Sequence, residues 1–155
     1  MTTVKDLEPY SANVAGLVSV LEDFRQTMPN PIVFKVAAYR AETFENVSQG
    51  DAVYSRASDG KVGKAVANAT VDEATVAGFA ETTQTAGQVV RVIVSGQVPS
   101  GQTLDAGDLF FLSGSSAGSI TKTPPTTAGQ FLTFVGEAAN SSELIVRIKR
   151  PIRLG

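Results

Sequence analysis

Gly114-Ser115-Ser116-Ala117-Gly118 spells G-x-S-x-G, the pattern that carries a nucleophilic serine in many hydrolases. A serine hydroxyl becomes a nucleophile only when a base within hydrogen-bonding reach takes its proton, and that base is normally histidine. This chain has no histidine. A lysine can substitute, but Lys122 is the only lysine or arginine between Val92 and Val146. The pattern also needs a helix directly after the serine, and residues 119–129 (SITKTPPTTAG) hold two prolines and four threonines. Ser116 therefore reads as a turn residue, and no catalytic residue is assigned.

Other candidate constellations fail in similar ways. Gly60-Lys61-Val62-Gly63-Lys64-Ala65 has the flavour of a phosphate loop, but Ser58 stands where the first glycine belongs and Ala65 replaces the metal-binding hydroxyl. A hairpin turn is expected there. Asp72 and Glu73 are adjacent carboxylates in a polar connection, expected to be a solvated loop, and on a strand they would point to opposite faces. Asp51 and Asp108 fit turns capped by a short carboxylate. With neither cysteine nor histidine, a metal would have to be held by oxygen alone, and no EF-hand spacing occurs. The reading implies no cofactor, no metal and no small-molecule substrate. Three N-x-S/T triplets, at Asn46, Asn68 and Asn140, are coincidences of a Ser- and Thr-rich chain.

The elements that would position such residues follow from composition and repeats. The chain has 155 residues, 43% of them hydrophobic, and a net charge of −2. That suits one globular domain able to bury about 68–70% of its surface, and it argues against nucleic acid as a partner. No apolar run approaches the roughly 20 residues of a membrane span, and the first ten residues are too polar for a secretory signal. Gly50-Asp51-Ala52-Val53-Tyr54 matches Gly107-Asp108-Leu109-Phe110-Phe111 at a separation of 57. Gly60-Lys61-Val62 then matches Gly118-Ser119-Ile120, and Val76-Ala77-Gly78-Phe79-Ala80 matches Phe134-Val135-Gly136-Glu137-Ala138. Val90-Arg91-Val92 is set against Val146-Arg147-Ile148. Shared order with nearly constant offset indicates a duplicated unit, about residues 44–96 and 101–150.

Each copy reads as short strands separated by Gly-bearing turns, so the chain is expected to be mainly β. Two copies would form a compact β-sandwich or barrel over residues 34–155. The third strand of each copy holds a glycine, which predicts close backbone approach or a bulge. In the last strand Val146 and Ile148 should face inward, with Arg147 and Lys149 outward.

Residues 1–33 differ in pattern and read as a helical or extended arm. Val14, Leu17, Leu21, Phe24 and Met28 fall at three- and four-residue steps and predict a helix over residues 11–28, with Ser11 as N-cap and Pro29 and Pro31 beyond its end. Its apolar stripe would face either the chain's own core or a neighbouring subunit. At the other end, Arg147, Lys149, Arg150 and Arg153 crowd the last nine residues. They would either guard an edge strand against unwanted pairing or dock on an acidic partner.

The succession GDAVY, GKV, VAGFA and VVRVIVSG, followed by LDAGDLFFLS, GSITKTPPTTAGQF, VGEA and ELIVRI, resembles a module of tailed-phage structural proteins. It is similar to capsid decoration (cement) proteins and head-fibre proteins over roughly residues 37–148. The resemblance implies a non-enzymatic virion component on the capsid exterior, a homotrimer that binds the major capsid protein at three-fold positions and stabilises the head. Phe110, Phe131 and Phe134 are candidates either for a trimer interface or for the core. The same module looks like parts of phage appendages, so a receptor- or glycan-binding fibre module is the alternative, although the chain has no Trp and three Tyr to stack on sugars.

Overall fold

A computed structural model describes residues 36–155. The helix expected over residues 11–28, with Val14, Leu17, Leu21, Phe24 and Met28, lies outside the described residues. Within them the two Gly-Asp turns are built alike. Gly50 and Gly107 take φ of 87° and 86°, and the next residue closes the turn by donating to the carbonyl three back, Asp51 to Ser48 and Asp108 to Asp105. Glycine is required at that third turn position because the conformation is left-handed.

Among the described residues the chain forms eleven strands and one short helix. These are β1 (Ala37–Glu42), β2 (Ala52–Ser55), β3 (Val62–Lys64), α1 (Val71–Ala74), β4 (Gly78–Ala80), β5 (Val89–Pro99), β6 (Leu109–Leu112), β7 (Ile120–Thr121), β8 (Phe131–Leu132), β9 (Phe134–Ala138), β10 (Glu143–Val146) and β11 (Ile152–Arg153). The antiparallel path runs β3-β2-β4-β5-β10-β9-β6-β7, with β1 on β5 and a separate pair β8-β11. The sheet curls into a half-barrel. Its two ends are tied where Gly118 donates to Ala65 (2.7 Å), Ala52 to Gly118 (2.8 Å) and Ala67 to Ser113 (2.9 Å). The fold is mainly β, as the turn and strand pattern predicts.

Strand register is shared by the two halves over their first three strands. Val53 lies opposite Gly78, and Phe110 lies opposite Gly136; Ser55 pairs with Val62, and Leu112 with Ile120. The last strand requires a correction. Ala80 pairs with Val92 and Ala138 with Leu144, so Val92 corresponds to Leu144 and Ile93 to Ile145. The sequence match of Val90 with Val146 is four residues out. Alternation has a period of two, so a four-residue slip leaves every side chain on its expected face and the pattern alone does not expose the error.

The two copies present opposite faces to the core. Ala52, Tyr54, Phe79 and Ile93 of the first half meet Phe110, Leu112, Val135, Leu144 and Val146 of the second in one cluster. By register, the second-half residues equivalent to that first set are Leu109, Phe111, Glu137 and Ile145, which lie on the outside. The first half's other face (Val53, Val62, Ala80, Val90 and Val92) forms its own cluster with Val47 and Ala41 of β1. One half is therefore covered on both faces and the other on one. Phe110 and Phe131 are core residues, whereas Phe134 is part-exposed on the outside, edge-on to Phe111 with centroids 5.7 Å apart.

The polar connection holding Asp72 and Glu73 is helix α1, not a loop. Thr70 accepts from the Glu73 amide at 3.2 Å while the Glu73 carboxylate reaches back to the Thr70 amide, a reciprocal cap that satisfies two otherwise unpaired donors. Helix α1 is fastened to the second half by Thr133, fully buried, whose hydroxyl donates to the Ala74 carbonyl at 2.8 Å.

Candidate interaction surface

Lys122 and Ser116 illustrate what the second half does with its reactive side chains. The Lys122 ammonium is held by Asp105 at 2.7 Å and Asp108 at 3.0 Å. Hydrogen bonds from Lys122 to those two carboxylates push its pKa above the ordinary lysine value, which is opposite to what a general base requires. Ser116 is exposed on a turn, its hydroxyl 3.1 Å from that of Ser119, and its amide donates to the Ser113 hydroxyl at 3.1 Å. The G-x-S-x-G segment is a serine-lined turn in which Gly118, at φ 83°, leaves space for Asp51 of the first half.

The Gly60–Lys64 segment is the expected hairpin turn. Gly60 donates to Arg56 at 2.8 Å, Asp59 binds the Arg56 guanidinium, and Lys61 pairs with Glu42 at 2.7 Å. Of the two recurrent aspartates, Asp51 caps its turn by accepting from the Ser48 amide at 2.8 Å, while the Asp108 carboxylate turns to Lys122 instead. Among the described residues no three His, Cys, Asp or Glu side chains form a group that could hold a metal ion, and no helix is long and apolar enough to cross a membrane.

The C-terminal cations sit on ordered backbone. Beyond β10, Arg147 donates its amide to Val135 and Lys149 to Phe134, both at 2.9 Å, so the run continues along β9. Val146 is buried and Ile148 part-buried, whereas Arg147 and Lys149 are exposed, as the alternation predicts. Pro151 then breaks the ladder and β11 pairs with β8, Ile152 opposite Leu132 and Arg153 opposite Phe131. Both the amide and the carbonyl of Leu154 bond toward β8, so the backbone groups of Arg153 point away and β11 is an edge.

The positioning device for that edge is a tetrapeptide that occurs twice. Thr85-Ala86-Gly87-Gln88 and Thr127-Ala128-Gly129-Gln130 form the same turn, with glycine φ of 87° and 90°. In the first, the Thr43 amide donates to Gln88 and its carbonyl accepts from Gly87, both at 2.8 Å; in the second, Leu154 makes both bonds to Gln130 and Gly129 at the same distance. Strand β11 thus stands to β8 as β1 stands to β5. This repeat lies outside the 57-residue offset, and the identical T-A-G-Q letters were its signal.

Around these strands lie two adjoining open depressions. One is lined by Thr70, Val71, Phe131, Pro151 and Arg153 among others, the next by Val71, Thr75, Arg150 and Pro151. Ile152 beside them is 62% exposed. Arg147 approaches Glu137 only at 3.9 Å, and none of Lys149, Arg150 and Arg153 forms an ion pair among the described residues. The arrangement offers positive charge beside apolar contact area, which suits contact with an acidic surface. No protein-family model matches the chain, and no curated protein matches it.

Proposed function

We propose that this chain is a phage capsid decoration protein: a virion component that binds the major capsid protein on the outer face of the head as a homotrimer, and stabilises the shell by adhesion. The observation that carries the reading is the row of exposed cations at Lys149, Arg150 and Arg153, none with an ion-pair partner among the described residues, on backbone ordered by β9 and β8. A duplicated β-module whose lysine nearest its only catalytic-looking serine motif is clamped as an ammonium supports the same view. Clamping needs no bond-making. Many modest contacts repeated over a shell replace single-site affinity.

The test is direct. Purified protein mixed with undecorated, expanded heads should appear as added density at three-fold and quasi-three-fold positions when the particles are imaged. Bare three-fold positions at saturating protein would overturn the reading. A glycan-array signal without affinity for heads would point instead to the appendage alternative.

A further inference from the structure

The two halves associate head to tail: one face of the first meets the opposite face of the second. A heterologous contact of this kind leaves one unused face at each end, and repeat proteins close such ends with caps. The first half has its cap in β1 and Val47. The second half has none among the described residues. Its outer face carries the row Leu109, Glu137, Ile145, Gln97, paired strand to strand across β6, β9, β10 and β5. Leu109 is 51% exposed where its counterpart Ala52 is fully buried. Phe111, Phe134 and Ile145 are part-exposed beside it.

We propose that this open face is closed by the same face of another copy of the chain. The charge of the face favours a second copy. Glu137 and Arg147 flank Ile145 on one face, 3.9 Å apart and so loosely paired, with both signs present. A copy related by rotation brings Arg147 to Glu137 and Glu137 to Arg147 while the apolar centre meets itself. A partner of one charge would be repelled by half of that rim. The edge-to-face pair of Phe111 and Phe134 supplies the aromatic anchor typical of such centres.

The inference shares only self-association with the proposed function, since a face that meets itself makes a two-fold pair separate from any three-fold contact, and it is tested without capsids, so failure of either is seen separately. Light scattering on the full chain at micromolar concentration should give an even multiple of the 16.2 kDa monomer mass, and a trimer mass would count against the pairing. Leu109→Asp and Ile145→Lys should each return the monomer mass with the circular dichroism spectrum unchanged. Leu109→Asn guards against a misfolded variant and should raise the dissociation constant about tenfold or more. Glu137→Arg and Arg147→Glu should each weaken assembly, and the double exchange should restore it. A monomeric wild type, or Leu109→Asp and Leu109→Asn variants that keep the wild-type mass, would overturn the proposal.

Discussion

Gly136 lies so close to the carbonyl oxygen of Ile145 that no β-carbon fits between them, and Gly78 meets the carbonyl of Ile93 in the same way. These paired contacts set the register of the third strand on the fourth in both halves. Gly136→Ala and Gly78→Ala should each lower stability by about 1–3 kcal/mol through overpacking against rigid backbone. Gly107→Ala, whose β-carbon meets open space, should cost about 1–2 kcal/mol through its φ of 86° alone. Urea denaturation of the three variants checks the contrast.

Thr133 offers a test of how the halves are joined. Its hydroxyl is the donor to the Ala74 carbonyl, in a fully buried position. Thr133→Val keeps the shape and removes that donor, so the loss should be about 1–3 kcal/mol. Thr133→Ser, which keeps the hydroxyl, should lose less.

The pH dependence should separate two aspartates of opposite sign. Hydrogen bonds from Arg56 and the Lys61 amide lower Asp59 from 3.8 to about 2. Its folded value is depressed, so its stabilisation is present above the unfolded value and fades as pH falls toward 2. Burial raises Asp51 above 3.8, only partly offset by the Ser48 amide and Lys64. Its contribution is complete in acid and is lost as pH rises through the raised value. Between about pH 3 and about pH 7, melting temperatures should shift in favour of Asp51→Asn and against Asp59→Asn, each relative to wild type.

Under the proposed function, Arg150→Glu with Arg153→Glu should weaken binding to undecorated heads by about tenfold or more, and wild-type binding should weaken as salt is raised. Co-sedimentation with heads across a salt series measures both. Loss of binding without loss of the melting transition is the expected outcome. A second grip on the shell by residues 1–30 would make their removal abolish head binding and leave the β-domain folded; a truncated chain that still decorates heads would exclude that role.

Much of this architecture was legible from letters alone because turns and alternation act locally. The Gly-Asp pairs at 50–51 and 107–108 announced two strands, and the outward Arg147 and Lys149 followed from period two. Helix α1 was missed although Thr70-Val71-Asp72-Glu73 carries the T-x-x-E cap, since four residues leave no apolar periodicity to detect. The reversed faces were not legible at all. Leu109 and Ala52 occupy equivalent strand positions, and only tertiary packing decides which one meets the core. At the C-terminus the cations were plain, but their ordering by β8 depends on the second T-A-G-Q turn, whose partner is 24 residues away at Leu154.

Strand β5 is a single eleven-residue element that pairs with β1 and β4 along its first part and with β10 along its last four residues. The seam between the copies is therefore not a hinge or a linker. A chain cut after Pro99 would leave β10 paired with β9 alone, and a chain cut before Val89 would leave β1 without a partner strand and β4 paired with β2 alone. The two halves are therefore inseparable, and neither should be obtainable as a soluble fragment.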